Sequence, residues 1–198
     1  YYNFDPTLNV MDLDDTLIGT KVLMIGSDQN VDPMTAVIAQ VTDNTVYVYD
    51  EIVIYGSNTQ ELCDEIRNRY NNKRIHIHPD ASGSARKTSS NTTDHNIMRN
   101  AGFTLKVNRS QPAVRDRINS VNAMLFNTLG QRRLMIHPRC KRLIEALIKH
   151  QYKEGTQVPD KNSGYDHITD ALGYLVEFNF PVRAQVSIPD QPQTFRLR

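Results

Sequence analysis

The chain has 198 residues, 39% hydrophobic and 23% charged, the balance of one globular domain rather than of a disordered or fibrous chain. No run approaches the roughly 18 apolar residues of a membrane span, and Tyr1-Tyr2-Asn3-Phe4-Asp5 lacks the basic-then-apolar order of a signal peptide, so a soluble, cytosolic protein without membrane contact is expected. The net charge of +1 conceals an asymmetry: residues 1–60 carry nine carboxylates against Lys21 alone, whereas residues 61–163 carry nineteen Lys or Arg against nine Asp or Glu.

In chain order, Lys21–Gly26, Met34–Val41 and Thr45–Ile54 read as strands, the last two joined as a hairpin by Thr42-Asp43-Asn44. Leu62, Ile66 and Tyr70 recur four apart, predicting a helix over Glu61–Tyr70 with Ser57, Asn58 and Thr59 as capping candidates. Arg74–His78 returns as a strand stopped by Pro79. After the polar stretch Ala81–Thr93, Asn96–Ala101 reads as a helix ended by Gly102, and Phe103–Val107 as a fifth strand. Pro112 opens a long amphipathic helix through Val114, Ile118, Val121, Met124 and Leu125. Leu134-Met135-Ile136 is a short strand, Cys140–His150 a helix, Glu154–Gly164 a loop, and Ile168–Phe178 the last helix. Residues 1–180 thus form one α/β domain, a mixed sheet flanked by helices. Residues 181–198 are a weakly patterned tail, expected to be partly disordered. Cys63 and Cys140 are isolated and expected to be buried thiols.

Three carboxylates stand out by position. Asp28 and Asp80 follow strands directly, and Asp170 sits among Ile168, Ala171, Leu172 and Leu175 on the last helix. At the carboxyl ends of adjacent parallel strands such acids can converge, and clustered carboxylates repel unless a cation holds them. Asp28 and Asp80 also suit ordinary turns. Asp170 on an apolar face needs a partner or a metal. Asp166 and His167 lie four and three residues before it as its candidate helpers, although Ser163 followed by Asp166 also fits a capping box.

Other patterns fail or stay open. Asp28-Gln29-Asn30-Val31-Asp32 begins like a calcium loop, but Pro33 and Ala39 occupy the positions of its turn glycine and closing Glu. Ser82–Thr88 lacks phosphate-loop glycine spacing. His76 and His78 share a strand face, where packing under a helix competes with metal binding. Arg86, Lys87, Arg99, Lys106, Arg109, Arg115, Arg117, Arg132 and Arg133 fall in loops and helix ends, suited to a polyanion or simply to a solvated surface.

Ile25-Gly26-Ser27-Asp28-Gln29-Asn30-Val31-Asp32-Pro33-Met34-Thr35-Ala36-Val37 resembles the first acidic motif of phage terminase nuclease domains, and Pro79-Asp80-Ala81-Ser82-Gly83 resembles the second. Asn122–Leu129 with Leu134–Cys140 looks like the family's helix and following segment, and His167-Ile168-Thr169-Asp170-Ala171-Leu172-Gly173-Tyr174 resembles its third motif. The resemblance runs from about Tyr1 to Phe180. It implies an RNase H-like fold and an endonuclease that cuts concatemeric double-stranded viral DNA with Mg²⁺ or Mn²⁺, two ions being expected. Asp28, Asp80 and Asp170 take the metal-ligand positions, with His167 or Asp166 as auxiliary.

The resemblance further implies an N-terminal ATPase domain, which has no Walker A motif here, together with a small terminase subunit, a procapsid portal and the cytoplasm of an infected bacterial host. Arg86, Lys87, Arg109, Arg115, Arg132 and Arg133 are the expected DNA contacts. Two other readings stay open: a different RNase H-like phosphoryl-transfer enzyme, such as an integrase or junction resolvase, and a non-catalytic DNA- or portal-binding module whose acids only cap helices and turns.

Overall fold

Apolar alternation at period two builds the centre of the molecule. In the computed structural model, which describes residues 1–18, 20–84, 92–151, 160 and 164–182, β1 (Leu23–Asp28) pairs antiparallel with β2 (Met34–Thr42), and β2 with β3 (Thr45–Ile54). Only Asp43 and Asn44 separate β2 from β3, at φ 51° and 60°. That left-handed pair is what a two-residue hairpin turn demands and what Asx residues tolerate.

Before the sheet lies α1 (Pro6–Asn9), with Pro at its start and an Asp5 cap. After it, α2 (Thr59–Arg69) is capped by Asn58, whose side chain accepts from the Glu61 amide. Then follow β4 (Ile75–Pro79), α3 (Asp94–Asn100), β5 (Thr104–Leu105), α4 (Val114–Leu125), β6 (Leu134–Ile136), α5 (Lys141–Lys149) and α6 (Asp166–Asn179). The six strands are ordered β5-β4-β1-β2-β3-β6, with β4 parallel to β1, β5 parallel to β4, and β6 parallel to β3. This is the mixed sheet flanked by helices that the sequence predicts.

Both faces of the sheet are covered. On one, Leu62, Cys63 and Ile66 of α2 and Met98 of α3 pack on Leu23, Ile25, Ile38 and Ile77. On the other, Val121 and Leu125 of α4, Leu143 and Leu147 of α5, and Leu172 and Leu175 of α6 pack on Val37, Val46, Val48 and Ile136. Both cysteines are free and buried.

The fold departs from expectation where short-range pattern is weakest. The fifth strand shrinks to Thr104–Leu105, because Phe103 turns into the core between α2 and the sheet. β4 runs through Pro79, which pairs with Ser27, and β1 extends to include Asp28. Pro112 lies two residues before α4, offering its carbonyl to Arg117. α6 begins at Asp166, with Tyr165 in the capping position and no side-chain cap. The capping box expected of Ser163 and Asp166 is therefore not the geometry of this terminus: Asp166 is the first helical residue, and Ser163 lies outside the described residues. The tail beyond 182 and most of the Glu154–Gly164 loop also lie outside them.

Candidate active site

Strand parity decides which side chains meet. Leu23, Ile25, Ile75 and Ile77 face α2 and α3, so the alternate residues of β1 and β4 face α6. Those are Met24, Gly26 and Asp28 on one strand and His76 and His78 on the other. Ser27 pairs with Pro79, so Asp28 and Asp80 leave two adjacent parallel strands side by side at their carboxyl ends.

Gly26 brings α6 down onto this point. A Cβ there would sit 2.0 Å from the Ala171 carbonyl oxygen and 3.0 Å from the Leu175 Cβ, so only glycine lets the helix backbone rest on β1. Asp166, Asp170 and Tyr174, four apart along α6, then share the cleft with Asp28, Asp80 and Arg117.

Asp28, Asp80 and Asp170 each have their own holder. Asp28 Oδ2 lies 2.9 Å from His167 Nδ1. Asp80 Oδ1 accepts from the Ser82 amide at 2.7 Å, and Oδ2 from the Tyr174 hydroxyl at 3.0 Å, which itself accepts from Gln111 Nε2 at 2.8 Å. The Asp80 amide donates to Gln29 Oε1 at 3.1 Å. Asp170 Oδ1 accepts from Arg117 Nη2 at 2.8 Å. Asp166 is buried, its Oδ1 accepts no hydrogen bond, and it lies 3.7 Å from His167 Nε2.

The electrostatics follow from burial and these pairs. Burial is the main cause that pushes the Asp28 carboxyl above the ordinary range; the His167 bond opposes it, and the Asp170 and Asp80 charges add to it. The same bond to Asp28 raises the His167 imidazole, against the desolvation that would lower it. Burial raises the Tyr174 phenol as well, which keeps its hydroxyl a neutral donor toward Asp80.

The structure thus brings together Asp28, Asp80, Asp166, His167 and Asp170, and it corrects one pairing. His167 bonds Asp28 rather than helping Asp170, because at the start of α6 its ring lies over the end of β1. The partner of Asp170 is Arg117, an expected polyanion contact whose side chain is only 4% exposed. The signal was in the sequence: Arg117 lies three and four residues from Val114 and Val121, on the apolar face of α4. Of the histidines on β4, His78 packs edge-on against Phe178 with ring centroids 5.0 Å apart, a core role.

The basic residues divide. Arg109 is exposed in the loop that leads to α4, and Arg115 is exposed in the first turn of α4, where it pairs with Asp116 at 3.7 Å. Arg132 and Arg133 precede β6 at the opposite end, beside the β2–β3 turn, where the Arg133 carbonyl accepts from the Val46 amide. Arg132 is committed to structure: its Nη1 donates to Asn9 Oδ1 at 2.8 Å and reaches the Asn3 and Leu125 carbonyls at 3.3 Å. Both therefore lie at the end of the sheet away from the carboxylates. Arg86 and Lys87 lie outside the described residues.

Among the described residues, no three His, Cys, Asp or Glu side chains converge as a ready-made metal cage. The donor chemistry nevertheless fits a hard divalent cation. Carboxylate oxygens dominate one cleft, and one of them, Asp166 Oδ1, is buried with no hydrogen bond to satisfy it.

A family model described as a terminase RNaseH-like domain matches residues 25–177, a span that includes all five cleft-facing Asp and His residues. No curated protein matches the chain. The large terminase of a thermophilic bacteriophage superposes with a TM-score of 0.69 at 18% identity, over 89% of this chain and 44% of that one. The chain therefore spans less than half of that relative. The nuclease domain of the bacteriophage P22 large terminase gives 0.68 at 12% identity, covering 90% and 91% of the two chains. The large terminase nuclease domain of bacteriophage SPP1 with bound Mn gives 0.57 at 18% identity, covering 87% and 98%. At these identities the likeness establishes the fold, an RNase H-like α/β sheet.

Proposed function

Because the chain belongs to the terminase RNaseH-like domain family, we propose that it is the metal-dependent endonuclease of a tailed-phage DNA-packaging machine, cutting concatemeric double-stranded viral DNA. The observation that carries the reading is that Asp28, Asp80 and Asp170, from two adjacent strand ends and one helix, line a single cleft. The Mn bound to the SPP1 domain supports a divalent ion here. Asp28, Asp80 and Asp170 would hold it, with Asp166 as a further oxygen donor and Mg²⁺ or Mn²⁺, two ions in number, as the cofactor. When bound, such ions activate a water and stabilise the leaving oxygen of a phosphodiester.

The chain's own residues do the positioning. His167 fixes one oxygen of Asp28 through Nδ1, and its Nε2 is itself held at 2.9 Å by Asn30 Nδ2. The Ser82 amide and Tyr174 hydroxyl orient Asp80. Arg109 and Arg115, exposed before and at the start of α4, are proposed phosphate contacts; Arg86 and Lys87 extend the same proposal. The N-terminal ATPase domain, the small terminase subunit, the portal and the host cytoplasm belong to the proposal through the family alone. The family match favours this reading over an integrase or junction resolvase.

Plasmid digestion with Mn²⁺, with Mg²⁺ and with EDTA tests it. The protein should nick or linearise plasmid with either metal and be silent in EDTA, and Asp28→Asn, Asp80→Asn and Asp170→Asn should each lower cleavage by at least about 100-fold, the loss of roughly 2.7 kcal/mol of transition-state stabilisation. Wild-type digestion by any of the three removes that residue from the site. A folded wild-type protein that ignores Mn²⁺ leaves the non-catalytic binding module standing.

A further inference from the structure

The cleft contains a positive charge that belongs to the fold rather than to any ligand. Arg117 projects from α4 with its side chain 4% exposed, against 19% for Asp170. Its Nη2 donates to Asp170 Oδ1 at 2.8 Å and its Nη1 to the Pro112 carbonyl at 2.9 Å. The guanidinium carbon stands 4.6 Å over the Tyr174 ring, whose hydroxyl holds Asp80. Gly173 keeps the passage open, since a Cβ there would sit 3.2 Å from the Arg117 Cβ. Arg117 thus grips one carboxylate directly and backs the ring that holds another.

Burying a guanidinium is costly unless a charge and hydrogen bonds compensate. Its one carboxylate partner among the described residues is one of the proposed metal ligands. A structural staple between α4 and α6 would need no such choice. We propose that Arg117 is a positioning residue that acts as a built-in counter-cation for Asp170, holding that carboxylate at the cleft when no metal is bound and sharing it with the metal when one arrives.

The inference rests on the metal-site reading above, and it has two opposed consequences. Removing the guanidinium charge frees Asp170 Oδ1 and lowers the local positive charge, so a divalent cation binds more tightly. It also releases Asp170 and Tyr174 from their fixed orientation, so cleavage slows.

Mn²⁺ titration calorimetry and single-turnover cleavage on wild type, Asp28→Asn, Arg117→Gln, Arg117→Lys and the double variant Arg117→Gln/Asp170→Asn test both. Arg117→Gln should bind Mn²⁺ five- to fifty-fold more tightly yet cleave at least ten-fold more slowly at saturating Mn²⁺. Arg117→Lys should return the affinity toward wild type, and the double variant should show no gain. Unchanged or weaker Mn²⁺ binding by folded Arg117→Gln overturns the inference, because a staple alone leaves affinity where it was. Equal affinity in wild type and Asp28→Asn removes the metal-site reading itself and the inference with it. Loss in Asp28→Asn with no change in Arg117→Gln overturns the inference alone.

A measurement that needs no variant covers the case in which Arg117→Gln does not fold. In wild-type protein, the Arg117 side-chain NMR signals should move on addition of Mg²⁺. Static Arg117 signals beside shifting Asp28 signals would overturn the inference.

Discussion

Two acids of the same cleft should respond to neutralisation in opposite ways. Asp28 is buried, and burial pushes its carboxyl above the ordinary range, so its negative charge costs the folded state something. Asp28→Asn should therefore leave the melting temperature unchanged or raise it. Asp170 balances a buried guanidinium, and Asp170→Asn keeps an acceptor for Arg117 but strands its charge. The expected loss lies toward the lower end of the roughly 3–5 kcal/mol that breaking a buried pair costs. Urea titration of both variants checks the contrast, and equal stabilities would mean that Arg117 finds compensation elsewhere. His78 supplies a separate acid response. Burial among core side chains pushes its imidazole down to about 3, so it stays neutral in the folded protein while an unfolded chain takes up a proton below about 6.5. Its contribution is complete above pH 6.5 and is lost as pH falls from there toward 3, at up to about 1.4 kcal/mol per unit. His78→Leu should flatten this limb by a few kcal/mol between pH 6.5 and 4. Parallel acid losses in the two proteins would assign the limb to other groups.

At the scale of elements, the contact of α6 with β1 decides whether the acids meet. The predicted obstacle for Gly26→Ala is backbone, the Ala171 carbonyl oxygen at 2.0 Å, and backbone cannot swing aside as a side chain can. The variant should lose at least the upper end of the roughly 1–3 kcal/mol typical of overpacking. Because α6 must lift from the strand, metal-dependent cleavage should fall further than the folded fraction does. Chemical denaturation and digestion on the same preparation compare the two, and a stable, fully active Gly26→Ala would show that the helix has room to shift. The strands that frame this contact were legible because each is long and alternates cleanly, β3 to the residue. The acids were legible because strand ends are where polar residues interrupt apolar runs. What escaped was pairwise: Arg117 sits at an apolar-face position of α4, and only tertiary contact reveals that it meets Asp170. Asp166 likewise reads as a cap until α6 is seen to start on it. The four-residue α1 and the 3-10 turn at Asp15–Leu17 escaped because they are too short to carry periodicity.

The whole molecule is polarised along its strands. One end of the sheet carries the acids, with the loop that leads to α4 and bears Arg109 and Arg115 near it in sequence; the other carries the β2–β3 turn with Arg132 and Arg133. On the proposed reading, a duplex held for cutting would lie across the first end, with its scissile bond at the carboxylates and Arg109 and Arg115 as its proposed phosphate contacts. Binding by counterion release lowers log affinity linearly with log salt, with a slope of about 0.9 per phosphate neutralised. Arg109→Gln and Arg115→Gln should each reduce that slope by about one if each neutralises one phosphate, with little dependence on DNA sequence. Arg132→Gln and Arg133→Gln should leave it where it is. Arg132→Gln should register in stability instead, because its guanidinium ties Asn3, Asn9 and Leu125 together and stacks 4.7 Å from the Phe126 ring. Losing these bonds should cost about 1–3 kcal/mol, with Asn9 Oδ1 and the Leu125 carbonyl still accepting from the Asp5 amide and Asn9 Nδ2. Fluorescence anisotropy of a labelled duplex, titrated between about 50 and 200 mM salt, separates the two ends, since a few phosphate contacts already change affinity measurably over that range. A slope that falls in Arg132→Gln or Arg133→Gln but holds in Arg109→Gln and Arg115→Gln would place the duplex along the hairpin end, out of reach of Asp28, Asp80 and Asp170. The cleft could then not be where this chain meets DNA.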